Sequence, residues 1–520
     1  MQTAISGAID WCIVGSFVAY LVLMLVIGFV FSRRQESLGD YYLGGRKMNK
    51  WVVALSAQAS DMSGWLLMGL PGAIYVAGIS EAWIGVGLGI GTYLNWKIVA
   101  WRLRRYSQIC GDAITIPDFI SNRFRDRTGM ARIVAAFIIL VFFTFYTASG
   151  FVAAAKLFST LFGITYTKAL LIGAVVVVSY TLLGGYMAVC WTDFIQGSLM
   201  FMAIVLVPAI VISDAGGFAA TVDQLNSIDC NLLNLFTNAR TGAACGVVGF
   251  ASCMAWGLGY FGMPHILVRF MSIDDPAEVK GSRRIAMTWV FVSLVSAVAL
   301  GLVFHLFLRQ HGLTLESAGN DPEKCFLVMI NSIFGKGIVP RIFAGVLLSA
   351  IMAAIMSTAD SQLLVSASSF TNDLYKRIVR RGASNRELIL VSRLAVAAVA
   401  VVAAVLSMNA ESEFFKVVMK MVSFAWGGFG AAFGPLILLA LFWRRMNLAG
   451  AVAGMLTGSA TCFVWKFVLA ERFAASCPVF GMYELAPGFI LAFAVTVVVS
   501  LLTKRPSDEI VAEFDRVEAV

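Results

Sequence analysis

The chain has 520 residues, of which 59% are apolar and 13% are charged, and its formal net charge is +9. A soluble globular protein of this length needs more polar surface than this, so the composition excludes that class and indicates an integral membrane protein. The Lys and Arg residues are confined to alternate loops, which is typical of membrane topology and gives no reason to expect a nucleic-acid partner.

Apolar runs long enough to cross a lipid bilayer, about 20 residues each, recur along nearly the whole chain. They predict an all-α integral membrane protein with about 13 transmembrane helices and membrane lipid around it. The predicted spans are residues 9–31, 49–77, 80–101, 130–161, 165–190, 192–213, 244–271, 284–308, 337–374, 389–408, 415–443, 448–470 and 482–503. We expect residues 1–505 to form one transmembrane domain, followed by a short cytoplasmic tail at 506–520.

Clusters of basic residues follow the first, third and ninth predicted spans, whereas the loops between them are poor in such residues. The clusters include Arg33, Arg34, Arg46, Lys47, Lys50, Arg102, Arg104, Arg105, Arg123, Arg125, Arg127, Lys376, Arg377, Arg380, Arg381 and Arg386. Because basic loops face the cytoplasm, this bias predicts an external N-terminus and a cytoplasmic C-terminus.

The first apolar run lacks the features of a cleaved signal peptide, so we expect a retained helix.

The nine cysteines are scattered and show no spacing that is typical of a zinc site. We expect most of them to be small core residues. Cys230 and Cys245 flank a predicted external loop and could form a disulfide.

Two predicted spans contain helix-breaking residues. The second is interrupted at Ser60 to Gly64, and the seventh carries three glycines and a proline between Trp256 and Pro264. The breaks stand five spans apart, and interrupted helices at corresponding positions of two halves point to a secondary transporter with inverted repeats. The predicted parts are an extra N-terminal helix and loop at 9–48, a first repeat at 49–213, a second repeat at 244–443 and two extra helices at 448–503.

Asp61 lies in the middle of the first interruption, within a membrane-length apolar stretch. A carboxylate at bilayer depth costs at least about 2.5 to 3.5 kcal/mol, so it is retained where it has a partner such as a cation. Unwound carbonyls attract cations and half-helix N-termini attract carboxylates. We therefore predict that Ala59, Asp61, Met62 and Ser63 bind a sodium ion and an amino-acid carboxylate. A structural aspartate bonded to neighbouring amides is the alternative.

The ninth span places Ala350, Ala354, Ser357 and Ser361 on one helical face. Their hydroxyls and carbonyls are hard oxygen ligands that suit a small alkali cation, although a stripe that only packs against another helix would look the same.

Trp256 and Tyr260 lie four residues apart in the second interruption, where their rings could stack on a small apolar ring. Aromatic core packing is the alternative.

Asp193, with Asp360 and Ser361, could form a second cation site or an intracellular gate, or Asp193 could be a simple helix cap.

Three segments of the chain, Ala57–Gly72, Met254–His265 and Ser423–Pro435, together resemble the sodium:solute symporter family, and within it the proline-transporting branch. The resemblance extends from about Asp10 to Leu502. It implies a leucine-transporter-type 5+5 inverted repeat with two broken helices, which alternates access to the two sides of the membrane. We expect such a transporter to function as a monomer.

The family resemblance also implies which residues bind. Sodium would be held by the carbonyls of Ala59, Met62 and Ala354 and the hydroxyls of Ser357 and Thr358, with Asp61 tied to sodium coupling. The substrate would be surrounded by Ser63, Gly64, Trp65, Tyr146, Trp256, Tyr260 and Pro264. A second sodium site would map to Asp193 and Ser361, but Asp360 stands where some members have a hydroxyl residue. One sodium ion per substrate is therefore the default.

The sequence thus predicts a secondary active symporter of a bacterial cytoplasmic membrane that imports L-proline with inward sodium flow. It predicts no enzyme activity and no cofactor beyond sodium as the coupling ion. Another small solute, such as another amino acid, a sugar, sialic acid or pantothenate, remains the alternative, as does proton coupling. An ion channel would need a repeated filter loop or a pore signature, which the sequence lacks.

Overall fold

The computed structural model describes residues 10–32, 38–182, 184–409 and 412–518, and these residues form helices and connecting turns without a β-strand. Arg33 and Arg34 of the first basic cluster lie outside the described residues, as do residue 9 of the first predicted span and residues 519 and 520 of the tail.

Sixteen helices overlap the predicted spans and are numbered in chain order. They are α1 (Trp11–Ser32), α2 (Lys50–Asp61), α3 (Leu70–Ala77), α4 (Ala82–Leu94), α5 (Ala100–Ile109), α6 (Met130–Phe162), α7 (Tyr166–Thr181), α8 (Tyr186–Asp214), α9 (Val247–Ala255), α10 (Pro264–Ser272), α11 (Val279–His311), α12 (Ile338–Ser368), α13 (Asn385–Ser407), α14 (Val418–Phe442), α15 (Leu448–Val464) and α16 (Leu485–Leu502). The third span continues beyond its predicted end at residue 101 to Ile109, and the sixth begins at Tyr186, before its predicted start at residue 192.

Nine helices in the described part of the chain are long and apolar enough to cross a membrane, namely those containing α1, α6, α8 and α11 to α16. The prediction of an all-α protein with several membrane spans is therefore confirmed. The other four predicted spans coincide with short or interrupted helices: α2 with α3, α4 with α5, α7 alone, and α9 with α10. The count of thirteen crossings goes beyond the nine and stays a prediction.

The helix α14 lies at the centre of the protein. Of its apolar stretch 94% is buried inside the protein, compared with 28% for α1 and 33% for α13, α15 and α16. Glycines allow this close packing: a side chain at Gly428 would overlap Phe142 of α6, and one at Gly434 would overlap Phe489 of α16. The helix α14 therefore lies in the interior, packed against α6, α16 and the second interruption, since Gly262 approaches Phe429 O.

Both interrupted helices break within the predicted limits. The helix α2 ends at Asp61, and the next helical turn, Trp65–Gly69, leads into α3. Between α9 and α10 the chain forms a 3₁₀ helix, Trp256–Gly262, followed by an extended residue, Met263. Since Pro264 has no amide hydrogen, it is suited to the first turn of α10.

The predicted tail contains a further helix, Asp508–Glu518. Its residues Ile510, Phe514 and Val517 are buried, which is the spacing of one helical face. Arg125 holds the flank next to this buried face through ion pairs of 3.0 Å to Glu509 and 2.6 Å to Glu513. The tail is therefore docked on the rest of the protein, which the sequence analysis did not predict.

All nine cysteines lie among the described residues and are free thiols. Cys230 and Cys245 are thus unpaired, and the disulfide considered between them is not formed. Four of the nine, Cys110, Cys190, Cys325 and Cys462, are buried, so fewer cysteines than expected are core residues.

Candidate binding site

The first interruption frees backbone oxygens because the chain leaves the helical hydrogen-bond pattern. Met62 takes φ/ψ values of −89° and 79°, and the amide of Ser63 donates to Asp61 O at 3.1 Å in place of Ala59 O, its partner in a regular helix. Gly64 follows where the chain passes α6, and a Cβ there would lie 3.0 Å from the Cβ of Ala153. The carbonyl of Ala59 is thus available to another partner.

Hydroxyls of α12 meet this carbonyl. Ser357 Oγ lies 2.8 Å and Thr358 Oγ1 lies 3.4 Å from Ala59 O, and Ser357 Oγ lies 3.3 Å from Ala354 O. All four residues are buried. Met62, the fifth predicted sodium ligand, lies at the interruption itself. Buried carbonyl and hydroxyl oxygens are the hard ligands that a sodium ion needs, so this group of atoms fits a small alkali cation.

The carboxylate of Asp61 connects the two interrupted helices. Its Oδ2 accepts a hydrogen bond of 2.5 Å from the hydroxyl of Tyr260, while its Oδ1 is buried and has no hydrogen-bond partner. Its carbonyl oxygen accepts hydrogen bonds from Trp65 Nε1 at 3.1 Å and from the Tyr146 hydroxyl at 3.3 Å. Because buried polar atoms are normally satisfied, Oδ1 is a candidate partner for a cation or a ligand amine.

Trp426 of α14 joins the backbone of Trp256 to this cluster, whereas the Trp256 ring stacks on Tyr483 with 5.2 Å between ring centroids. The Trp426 ring lies edge-on to Tyr260 with 4.9 Å between ring centroids, and its Nε1 donates to Trp256 O at 2.8 Å. A side chain at Gly259 would overlap the Trp426 indole, so the glycine is required for this approach. Trp426 was not among the predicted site residues, although it belongs to the glycine-rich segment Ser423–Pro435.

Ser63 and Pro264 are the remaining predicted site residues. The Ser63 hydroxyl accepts a hydrogen bond of 3.4 Å from the amide of Trp65. Pro264 begins α10, and no described contact joins its ring to the Asp61 cluster. The next residue, His265, is fully buried without hydrogen-bond partners for its ring nitrogens, and its ring lies edge-on to Tyr146 at 6.4 Å. His265 is therefore a further polar group beside the site that the sequence analysis did not include.

A guanidinium group lies between the residues predicted to form a second sodium site. Arg269 Nη2 lies 3.0 Å from Asp193 Oδ2 and 2.5 Å from Ser361 Oγ, and its Nε donates to Ser56 Oγ at 3.1 Å. Both charged groups are buried. Asp360 is joined through Ser361, whose hydroxyl donates to Asp360 Oδ1 at 3.3 Å. The structure thus brings Asp193 and Ser361 together, but through the cation of Arg269, a residue that the sequence analysis missed.

The end of the site toward the loop 313–337 is held by an ion-pair cluster. Glu323 accepts hydrogen bonds of 3.1 Å from the amides of Val418 and Met419 at the start of α14. Lys156 of α6 lies 2.5 Å from Glu323 Oε2 and 2.8 Å from Asp321 Oδ2. A carboxylate at the N-terminus of a helix is stabilising, so Glu323 fixes this loop onto both α6 and α14.

The opposite end is held by two arginines that bind the C-terminal end of α10. Arg46 donates to Met271 O at 2.6 Å and to Ala113 O at 2.8 Å. Arg104 donates to Ile273 O at 2.5 Å and to Asp274 O at 3.0 Å. With both ends bridged, Asp61 is fully buried, and the site is closed to solvent in this structure.

Comparison with known proteins identifies relatives over nearly the whole chain. The model of the "Sodium:solute symporter family" matches residues 41–458. The high-affinity proline transporter of Bacillus subtilis (strain 168) is 46% identical over 492 residues, which cover 95% of this chain and 98% of that protein. The sodium/proline symporter of Escherichia coli (strain K12) is 44% identical over 504 residues, covering 97% and 96% of the two chains. These relatives are transporters, which confirms the prediction of a transporter in place of an enzyme.

Solved structures share the fold. A sodium-coupled sialic acid symporter, in a substrate-bound outward-open state, superposes with a TM-score of 0.76 and 18% identity, covering 96% of this chain and 99% of that one. The transporter MhsT in complex with L-phenylalanine superposes with a TM-score of 0.53 and 12% identity, covering 88% and 98%. At these identities the likeness establishes the fold alone.

Proposed function

The chain belongs to the sodium:solute symporter family, and we propose that it imports L-proline together with sodium across a bacterial cytoplasmic membrane. The names of its relatives, at 46% and 44% identity over nearly the full length, support proline as the substrate and sodium as the coupling ion. The observation that carries the mechanism is the hydrogen bond between Asp61 and Tyr260, because it places a buried carboxylate with one free oxygen between the two interrupted helices.

Sodium binds where α2 and α12 meet. The Ser357 hydroxyl is already within hydrogen-bond distance of the carbonyls of Ala59 and Ala354, and the Thr358 hydroxyl is within that distance of the Ala59 carbonyl. Both hydroxyls point to carbonyl oxygens in this structure, and on sodium binding they turn their lone pairs to the ion. The carbonyl of Met62 completes the set from the interruption. Asp61, two residues from Ala59, supplies the negative charge that favours the cation.

Proline binds beside the sodium site, between the two interruptions. The free Oδ1 of Asp61 suits the secondary amine of proline. The amide of Gly64, at the start of the half-helix that continues through Trp65, suits the proline carboxylate, and the neighbouring Ser63 hydroxyl lies beside it. The rings of Tyr146, Tyr260 and Trp256 provide apolar faces for the pyrrolidine ring. Pro264 begins α10 directly after the second interruption and so sets where this half-helix starts beside the proposed proline site.

Sodium binding and proline binding are coupled because both ligands contact the first interruption. Sodium stabilises the unwound conformation of residues 59–63, and the same residues bind proline, so each ligand raises the affinity for the other. One sodium ion is transported per proline, because the guanidinium of Arg269 already supplies the positive charge between Asp193 and Ser361.

Alternating access requires the bridges at the two ends to open in turn. We propose that opening to one side breaks the contacts of Glu323 with α6 and α14, and that opening to the other breaks those of Arg46 and Arg104 with α10. The chain crosses the membrane thirteen times as a monomer, with repeats at 49–213 and 244–443, the N-terminus outside and the C-terminus in the cytoplasm.

The direct test is uptake of radiolabelled L-proline into proteoliposomes under equal inward gradients of sodium, potassium or protons. The proposal expects accumulation with sodium alone and its loss in Trp256→Ala, while Asp61→Asn raises the sodium requirement steeply. Uptake driven equally by potassium or protons contradicts sodium coupling, and no proline uptake under any gradient contradicts the substrate assignment.

A further inference from the structure

A large cavity lies away from the Asp61 site, where the N-terminal ends of α6 and α15 meet the C-terminal end of α16. Its volume is about 1500 Å³, and the docked helix Asp508–Glu518 forms one of its walls. In the proposed topology these helix ends are the points at which the chain leaves the membrane on the cytoplasmic side. The cavity therefore adjoins both the lipid and the cytoplasm.

One wall of the cavity is apolar. It consists of Leu448, Val452 and Leu456, which follow one another at single-turn spacing along α15, and of Met130 at the start of α6. Met130 is 56% exposed and Leu456 is 51% exposed. An exposed apolar wall in this position suits an acyl chain better than it suits a soluble ligand.

Other parts of the lining are basic. Arg127, Arg377, Lys504 and Arg505 line the cavity with exposed side chains. Within the described ranges, none of the four forms an ion pair with a carboxylate. Their charges are thus available to an anion.

The acidic residues of the lining are already engaged. Glu509 and Glu513 pair with Arg125 at 3.0 Å and 2.6 Å. Asp126 accepts hydrogen bonds from the amides of Gly129 and Ala131, both at 2.9 Å, at the start of α6. The acids therefore hold the tail helix and the first turn of α6, and the unpaired charge that faces the cavity is positive.

We propose that this cavity binds one anionic phospholipid of the adjoining leaflet. The phosphate and headgroup lie against Arg127, Lys504 and Arg505, and an acyl chain lies along Val452 and Leu456. Anionic lipids are attracted to basic residues at the cytoplasmic surface of a membrane, and here four such residues surround a cavity that also has an apolar wall. Bound lipid then fills the space between the transmembrane helices and the tail helix.

Native mass spectrometry of the full-length protein in detergent with added phosphatidylglycerol tests this proposal. Wild type retains one phosphatidylglycerol molecule, and phosphatidylcholine is not retained in its place. The variant Arg127→Gln/Lys504→Gln/Arg505→Gln binds phosphatidylglycerol on the order of a hundredfold more weakly, because three cations are removed. Leu456→Trp keeps every charge but occupies the space beside the apolar wall in which the acyl chain would lie. It therefore also lowers the retention of phosphatidylglycerol.

The matched control is Lys280→Gln/Arg284→Gln/Arg386→Gln, which removes three exposed basic residues outside the cavity, at the N-terminal ends of α11 and α13 on the same predicted side of the membrane. This control retains the lipid as wild type does. Equal retention by the cavity triple variant and wild type overturns the proposal, and so does unchanged retention by Leu456→Trp. Displacement of the lipid by inorganic phosphate overturns a lipid as the occupant and assigns the cavity to free anions.

Discussion

The hydroxyl of Tyr260 donates a hydrogen bond of 2.5 Å to Oδ2 of Asp61, a residue 199 positions earlier in the chain. This bond joins the two interrupted helices directly. A ligand that binds at one interruption therefore affects the conformation of the other. Since Oδ1 of the same carboxylate has no partner, the bond also orients the oxygen that is left for a ligand.

Tyr260→Phe removes this hydrogen bond without removing the ring. A hydrogen bond to a charged group contributes about 1.5 to 3 kcal/mol, so we expect the proline concentration for half-maximal uptake to rise about tenfold or more. Initial uptake rates measured over a range of proline concentrations at saturating sodium give this value. The control is Tyr166→Phe, which loses a hydroxyl bonded to Ser407 O at 3.0 Å on the outer part of the bundle. Equal kinetic constants for Tyr260→Phe and wild type would show that the bond does not orient the site.

Ser357→Ala removes one hydroxyl from the predicted sodium site. Loss of one buried oxygen ligand is worth on the order of 1.5 kcal/mol, so the sodium concentration for half-maximal uptake should rise about tenfold. The matched control is Ser349→Ala on the same helix, because that buried hydroxyl donates only to Gly345 O within its own helix. If both variants change the sodium dependence equally, the effect belongs to α12 as a whole and not to an ion site.

Arg269→Gln leaves the buried carboxylate of Asp193 without its cation. Breaking a buried ion pair by removal of one partner costs about 3 to 5 kcal/mol, so we expect a clear fall in the apparent melting temperature of the purified protein. The double variant Arg269→Gln/Asp193→Asn removes both charges and should recover part of the loss. If the double variant instead lost melting temperature equal to the sum of the two single variants, Arg269 and Asp193 would not form a direct ion pair.

Glu323→Gln weakens the contact between the loop 313–337 and the start of α14. We expect a lower maximal uptake rate and faster modification of the adjacent Cys325, which is fully buried, by a membrane-impermeant thiol reagent. Mass spectrometry of labelled peptides separates Cys325 from the other thiols. Glu413→Gln, which alters an exposed ion pair of 3.5 Å with Lys420, is the control. Unchanged labelling of Cys325 in Glu323→Gln would mean that the carboxylate does not hold this loop closed.

Features that depend on local sequence could be predicted well. Glycine, proline and clustered small polar residues weaken a helix wherever it packs, so both interruptions were found within their predicted limits. The spacing along α12 selected Ser357 and the family resemblance added Thr358, and the structure brings both hydroxyls to Ala59 O. Sodium binding at these atoms stays a prediction.

Features that depend on pairing between distant segments were missed. Arg269 follows the second interruption as an ordinary basic residue, and its burial beside Asp193 depends on the packing of α8 against α10 and α12. Trp426 and Glu323 likewise reach the site from segments whose sequence does not specify their partners. The docked helix Asp508–Glu518 could have been found from the spacing of Ile510, Phe514 and Val517, which is that of an amphipathic helix.

The measurement that tests the central claim most directly is equilibrium binding of L-proline to the purified protein over a range of sodium concentrations, with potassium keeping the ionic strength constant. Linked binding of one sodium ion predicts that log Kd for proline falls with the logarithm of sodium concentration, with a slope of about one below sodium saturation, and that Ser357→Ala shifts this dependence to higher sodium. Proline affinity that is the same in sodium and in potassium would contradict coupling through the shared interruption at residues 59–63.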